Sequence, residues 1–345
     1  MESKIPYNQT LDGRKPAQYH RIIRQFHFQP EIPKRHGDFM KYLKIPGTDL
    51  NVSNVVLGCM RLTQLSKAEA NRHIHTALEE GINFFDHADI YGGGQCESHF
   101  ADSLEMTPSL REKMLIQSKC GIGKGLYDFS KKHILEAADG ILSRLKVEYL
   151  DVLLLHRPDA LMEPEEVAEA FDTLASAGKV RYFGVSNQNS FQMQLLQKYT
   201  HQKLLFNQLQ LSLAHTPLID SGMAVNMNID QSIDRSGGIL EYCRLNDVTI
   251  QAWSPFQKGF FEGPFLGDNE NYGELNRLAE EIAVRYGVTP TAVAVAWITR
   301  HPANMQVILG TMNTQRLKDS CAGSDIPLTR EEWYGLYKAA GNQIP

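Results

Sequence analysis

The sequence predicts an α/β fold of eight parallel βα units, and two observations carry that prediction. Eight short apolar runs recur along the chain, each ending in polar or charged residues, and amphipathic helical patterns lie between them. The runs are nearly continuous in hydrophobicity, as strands buried on both faces of a parallel sheet require. With 345 residues and 42% hydrophobic content, the chain has the apolar mass for one large core.

Residues 1–39 differ from the rest. The stretch PAQYHRIIRQFHFQPEIPKRHGD scatters basic and aromatic residues without a period, so 1–39 is expected to be an N-terminal extension, surface-packed or partly disordered. A partner-binding arm is the functional alternative. Acidic Glu2, Asp12, Glu31 and Asp38 argue against a transit peptide. From Met40 the pattern is regular. MKYLKI and NVSNVVLG flank the turn PGTDL, which predicts a hairpin leading into the first buried strand.

The strand series is VVLG at 55–58, INFFD at 82–86, MLIQSK at 114–119 and YLDVLLLH at 149–156. It continues with RYFGVSN at 181–187, LLFNQLQ at 204–210, VTIQAWS at 248–254 and MQVILGT at 305–311. Between them, Ser66 and Glu69 form a capping box before a helix that stops at Gly81. Pro164 opens a helix whose Val167, Ala170, Phe171 and Leu174 share one face up to Gly178. Leu275, Leu278, Ala279, Ile282 and Tyr286 keep helical spacing to Gly287, and Thr289-Pro290 starts another helix. Right-handed βα units close into a barrel or open into a doubly wound sheet; alternation alone does not separate the two.

A formal charge of −5 argues against a general nucleic-acid or anionic-membrane binder. Cys59, Cys96, Cys120, Cys243 and Cys321 show no CxxC spacing and read as free thiols in a reducing compartment. MESKIPYNQT lacks the apolar stretch of a signal peptide, and a cytoplasmic protein is expected. CGIGKGL after the third run lacks GxGxxG spacing and is no dinucleotide loop. His73 and His75 in HIHT fall in a helix without other ligands nearby, so no metal site is expected.

In parallel α/β folds the chemistry gathers at the C-terminal ends of the strands. The second run ends in Asp86, with Tyr91 following in DHADIYGGG; the third ends in Lys119 and the fourth in His156. Singly, these read as a turn aspartate, a loop aromatic, a rim charge and a structural histidine. Together, on three consecutive strand ends, they surround one mouth.

At these residues the chain resembles the aldo-keto reductase superfamily, from about Met40 to the C-terminus. GINFFDHADIYGGGQCE, LIQSKCG, YLDVLLLHRPD, GKVRYFGVSN, FNQLQLS, QAWSPF and ILGTMNTQRL stand in family order. HADIYGG, QCE and the ending LTREEWYGLYKAA are most similar to the bacterial YdhF-like branch of oxidoreductases. The resemblance implies a (β/α)8 TIM barrel over residues 40–345, with an N-terminal hairpin and an extra C-terminal helix. It implies NADPH-dependent reduction of a small aldehyde or ketone, with Asp86, Tyr91, Lys119 and His156 as the catalytic tetrad.

A free tyrosine is a weak acid, with a pKa of about 10. Lys119 beside Tyr91 is expected to favour phenolate, Asp86 to hold the ammonium, and His156 to orient the carbonyl oxygen. Ser186, Asn187 and Gln208 match positions that hydrogen-bond the nicotinamide carboxamide, and Trp253 the aromatic stacked under the ring. Met60, Ser254, Pro255, Phe256, Gly310 and Thr311 complete the implied NADPH/NADP+ site, and Arg316 matches the arginine on the 2′-phosphate. The family often has lysine or arginine near Gly310, and asparagine where this chain has Ser320; both departures bear on the strength of the NADPH preference. Pocket walls are expected from Met60, Tyr127, Phe129, Phe260 and Phe261. The expected partner is a small carbonyl substrate, with oligomeric state open. The alternative is a redox-sensing regulatory subunit that binds NADPH and turns over slowly.

Overall fold

The computed structural model describes residues 40–344, so the expected extension over 1–39 lies outside the described residues. An antiparallel hairpin of β1 (Tyr42–Lys44) and β2 (Asn51–Ser53) leads into β3 (Val55–Gly58), β4 (Phe84–Asp86) and β5 (Leu115–Cys120). A second small hairpin, β6 (Ile122–Gly123) with β7 (Leu126–Tyr127), occupies the CGIGKGL stretch. Then come β8 (Leu150–Leu155), β9 (Val180–Ser186), β10 (Leu204–Gln210), β11 (Thr249–Trp253) and β12 (Gln306–Leu309). The eight strands β3, β4, β5, β8, β9, β10, β11 and β12 pair in parallel, and β12 returns to β3 to close a barrel. Closure decides against the doubly wound sheet.

Helices α1 (Lys67–Glu79), α2 (Gln95–Ser103), α3 (Pro108–Arg111), α4 (Lys131–Leu145), α5 (Pro164–Ser176) and α6 (Ser190–Tyr199) surround the first half. The second half carries α7 (Pro217–Met223), α8 (Ile239–Leu245), α9 (Asn269–Tyr286), α10 (Pro290–Thr299), α11 (Thr314–Cys321) and α12 (Arg330–Ala339). The Ser66–Glu69 capping box forms both of its reciprocal bonds. The C-terminal α12 docks by stacking Trp333 on Trp297 of α10, with centroids 4.9 Å apart. Each indole N–H donates to the other residue's carbonyl, so two buried polar groups satisfy each other. No single described helix is long and apolar enough to cross a membrane. All five cysteines are buried and free.

Alternate residues of strands such as β3 and β8 feed two separate cores, which explains their nearly continuous hydrophobicity. Val55 and Leu57 of β3 pack toward the helices while Val56 joins the inner cluster; Leu153 and Leu155 divide from Val152 and Leu154 in the same way. The first hairpin adds Leu43, Ile45, Leu50 and Val52 to inner residues Val56, Phe84, Val152, Leu154, Phe206 and Ile308. It therefore plugs the N-terminal end of the barrel with apolar side chains. The opposite mouth is left for polar groups.

Strand β9 passes its neighbours too closely for a side chain at Gly184. A Cβ there would lie 2.7 Å from both Leu154 Cδ2 and the Phe206 carbonyl oxygen, and backbone of a paired strand cannot step aside. Gly184→Ala is expected to destabilise the fold by about 1–3 kcal/mol through overpacking. The measurement is the urea midpoint, and an unchanged midpoint contradicts this account of the barrel wall.

Candidate active site

Three neighbouring strands bring four side chains together at the mouth. Asp86 closes β4, Lys119 stands one residue before the end of β5, and His156 directly follows β8. Tyr91 begins a single helical turn after β4, and Gly92, Gly93 and Gly94 follow it with φ of 58°, 65° and 86°. Three left-handed residues in a row suit only glycine, so GGG sets the turn that presents the phenol.

Lys119 is fully buried. Its ammonium has three hydrogens and three acceptors: the Asp86 carboxylate at 2.8 Å, the His87 carbonyl at 2.7 Å and Tyr91 Oη at 3.1 Å. Burial alone would depress its pKa, but Asp86 and Tyr91 outweigh burial and lift it above the ordinary lysine value. Because Tyr91 Oη accepts from Lys119, the hydroxyl's own proton is free to point elsewhere.

Sequence reasoning expected Lys119 to leave Tyr91 more acidic than usual. In the structure burial raises the Tyr91 pKa, Asp86 adds to the rise, and Lys119 only partly opposes them. The net shift is upward. Desolvation of the phenolate, which depends on enclosure and not on sequence neighbours, wins.

His156 meets the Tyr91 ring edge-on, with centroids 5.9 Å apart. Burial, with the charges of Lys119 and Arg157, pushes its pKa well below the usual histidine value, so the imidazole is neutral near pH 7. Its Nδ1 is buried without a partner among the described residues.

Beside this group lies a second polar cluster. Ser186 Oγ donates to the Gln208 carbonyl at 3.0 Å, and Asn187 Nδ2 donates to Ser186 Oγ at 2.7 Å. Asn187 holds a left-handed φ of 58°, and its Oδ1 accepts from Trp253 Nε1 at 3.1 Å. Gln208 Nε2 is engaged by Asp86 Oδ1 at 3.0 Å and Gln251 Oε1 at 3.1 Å, which uses both amide hydrogens and leaves Oε1 as an acceptor. Ser254 follows with a φ of 53°, then buried Pro255 and half-buried Phe256. Half-buried Met60 stands at the end of β3, and its carbonyl accepts from Cys96 Sγ at 3.2 Å.

Across the β3–β12 seam, Gly310 and Thr311 precede α11, and Asn313 caps that helix by accepting from the Arg316 N–H at 2.9 Å. Arg316 is exposed. Arg61, which sequence reasoning missed, donates through Nη2 to the Gly310 carbonyl at 2.6 Å. A cation thus reaches Gly310 from another strand end, although the segment around Gly310 departs from the family in lacking one.

The expected pocket walls need one correction. Phe129 is fully buried in the helix-side core, wedged so close to Gly121 that a Cβ there would lie 2.3 Å from its ring. It supports the mouth from beneath. Tyr127, Phe260 and Phe261 are 49%, 61% and 60% exposed and free to meet a ligand. Phe260 stands edge-on to Trp253. Arg157, also missed, lies 5.6 Å from the Trp253 centroid and 5.8 Å from that of Phe260. No described carboxylate pairs with it. Its signal was its place in HRPD, directly after His156. No group of three or more His, Cys, Asp or Glu among the described residues is arranged to hold a metal ion.

Residues 54–339 match the Aldo/keto reductase family. The chain is 35% identical over 305 residues to Oxidoreductase YdhF of Escherichia coli, covering 85% of this chain and 95% of that protein. It is 33% identical over 305 residues to a 6-dehydroglucose reductase of Agrobacterium fabrum, covering 84% and 95%. The crystal structure of the thermostable aldo-keto reductase Tm1743 superposes with a TM-score of 0.70 at 23% identity, covering 87% of this chain and all of that one. Closed barrel, strand-end side chains and family match agree: the chain belongs to the aldo/keto reductase family and is an oxidoreductase.

Proposed function

We propose that the protein reduces a small, hydroxyl-bearing aldehyde or ketone to the alcohol with NADPH, with Tyr91 as the proton donor. The observation that carries this reading is the buried Lys119 ammonium, which spends its three hydrogens on Asp86, the His87 carbonyl and Tyr91 Oη. Enclosure keeps the phenol protonated until an alkoxide develops against it, and Lys119 then stabilises the phenolate left behind. Neutral His156 holds the carbonyl oxygen by a hydrogen bond and carries no charge to compete for the proton.

The family uses a nicotinamide cofactor, and the second cluster fits one. Gln208 Oε1, Ser186 and Asn187 form a polar cradle suited to a carboxamide, and the flat face of Trp253 suits the ring. Met60, Ser254, Pro255 and Phe256 would line the path to the phosphates. The amides around Gly310 and Thr311 would meet the pyrophosphate with Arg61 close by, and Arg316 would take the 2′-phosphate. A reduced nicotinamide held by these residues would supply the hydride for the carbonyl carbon. The proton from Tyr91 Oη completes the alcohol, and solvent returns a proton to the phenolate.

Arg157 at the rim favours an oxygen-rich substrate over a purely apolar one, because a guanidinium stacked on aromatic rings still has its N–H donors to offer. The Agrobacterium relative is named for reducing 6-dehydroglucose, a hydroxyl-rich carbonyl compound. The buried free thiols suit a reducing, cytoplasmic setting.

Tyr91→Phe is expected to bind NADPH normally and to slow reduction by about 10²-fold or more across a panel of aldehydes and ketones. Hydroxylated aldehydes should lead that panel. Wild-type kcat for reduction should stay flat from about pH 6 to pH 9, because His156 stays neutral and Tyr91 stays protonated there. NADPH oxidation at near-wild-type rates by the variant, or a limb near pH 6.5, contradicts the assignment of roles. Separately, Arg316→Ala should weaken NADPH binding by about tenfold or more while leaving NADH within about twofold, as loss of a charge-assisted phosphate contact predicts. Equal losses for both dinucleotides count against the 2′-phosphate role.

A further inference from the structure

The interior of this barrel is not apolar throughout. Gln117 of β5, Gln208 of β10, Gln251 of β11 and Gln306 of β12 reach toward one another, and all four are buried. Gln117 Nε2 donates to Asp86 Oδ1 at 2.6 Å and lies 2.9 Å from Gln251 Oε1. Gln208 Nε2 bridges the same two acceptors. Gln251 Nε2 donates to Gln117 Oε1 at 3.1 Å and to Gln306 Oε1 at 2.9 Å. Gln306 Nε2 donates to the Ser53 carbonyl at 2.7 Å.

Amide nitrogen and oxygen are nearly identical in shape, so partners decide which way each glutamine points. Here both ends of the chain are obligate acceptors: the Ser53 carbonyl at one end and the Asp86 carboxylate at the other. Each end forces its neighbouring amide to present nitrogen. Gln251 reconciles the two runs in one way only, with nitrogen toward Gln306 and oxygen toward Gln117 and Gln208. Both Asp86 oxygens then face donors, from the glutamines at Oδ1 and from Lys119 at Oδ2.

We propose that Gln117 and Gln251 are positioning residues, which fix the Asp86 carboxylate against Lys119 and join it to Gln208 on the cofactor side. This rests on the reading of Tyr91 as the proton donor. Neither residue touches the substrate side; they act through Asp86 and Lys119 on the phenol. Buried polar networks of this kind stabilise one arrangement only when every member is satisfied. Removing Gln117 frees the carboxylate to turn away from Lys119, so the Asp86 charge that raises the Tyr91 pKa recedes and the ammonium loses the partner that fixes it.

The test is Gln117→Met, which keeps the volume and removes the amide. The primary readout needs no turnover: the ionisation midpoint of Tyr91, from the ultraviolet phenolate absorbance of each protein minus that of its Tyr91→Phe counterpart. The midpoint is expected to fall by about half a unit or more, because the Asp86 charge that raises it recedes, and kcat to fall about three- to tenfold with KM within about twofold, because the ammonium is less firmly fixed. Thermal unfolding and circular dichroism establish that the variant is folded. If it is not, Gln251→Met is measured in the same way. An unshifted midpoint in a folded variant overturns the inference and leaves the reductase reading standing if the wild type is active. A shifted midpoint in a wild type that reduces no carbonyl supports the positioning role and removes the proton-donor reading.

Discussion

The interaction on which the rest of the site depends is the enclosure of the Lys119 ammonium. A buried cation costs several kcal/mol unless charge and hydrogen bonds replace its water. Here the replacement is complete: one carboxylate, one backbone carbonyl and one phenol take the three hydrogens. Each of those acceptors imposes a condition on the fold. Asp86 must end a strand directly beside β5, the backbone must turn at His87 to point its carbonyl inward, and three glycines must bring Tyr91 back over the barrel. His87 itself stays neutral: burial, helped by the Lys119 charge, pushes its pKa down to about 3, so no second cation competes.

That requirement divides the barrel along its axis. The floor is apolar, sealed by the first hairpin against Val56, Phe84, Phe206 and Ile308. Above it sits a layer of amides, and above that the charged and phenolic groups. Polarity rises toward the mouth, and the amides and the Lys119 ammonium there find fixed partners. The two clusters at the mouth meet at Gln208, whose amide serves Asp86 while its carbonyl oxygen remains available. In the proposed reading, proton chemistry and cofactor recognition would share this residue.

Much of this was legible in the sequence because barrel strands announce themselves twice, by hydrophobicity on both faces and by the polar residue that ends them. Asp86, Lys119 and His156 stand out for that reason, and GGG after Tyr91 marks a run of left-handed turn positions that glycine adopts at least cost. The barrel itself was readable only through family resemblance, since open and closed sheets share the same alternation. What stayed hidden depends on closure. Gln117, Gln251 and Gln306 read as polar interruptions in separate strands, and only a closed barrel makes them neighbours. Arg61 meets Gly310 across the seam where the last strand joins the first. Phe129 was misplaced because nearness to a strand end does not say which way a ring turns. The direction of the Tyr91 shift followed from enclosure, which no local motif encodes.

The most direct test of the whole account is to follow the transferred hydrogen. Wild-type protein is given NADPH carrying deuterium at the transferred position of the nicotinamide, with the best hydroxylated aldehyde from the panel, in ordinary water. The account predicts an alcohol with the deuterium on its carbinol carbon and a solvent-derived proton on its oxygen. NADPH consumed without label in the alcohol, or an unreduced aldehyde at saturating cofactor, would contradict it.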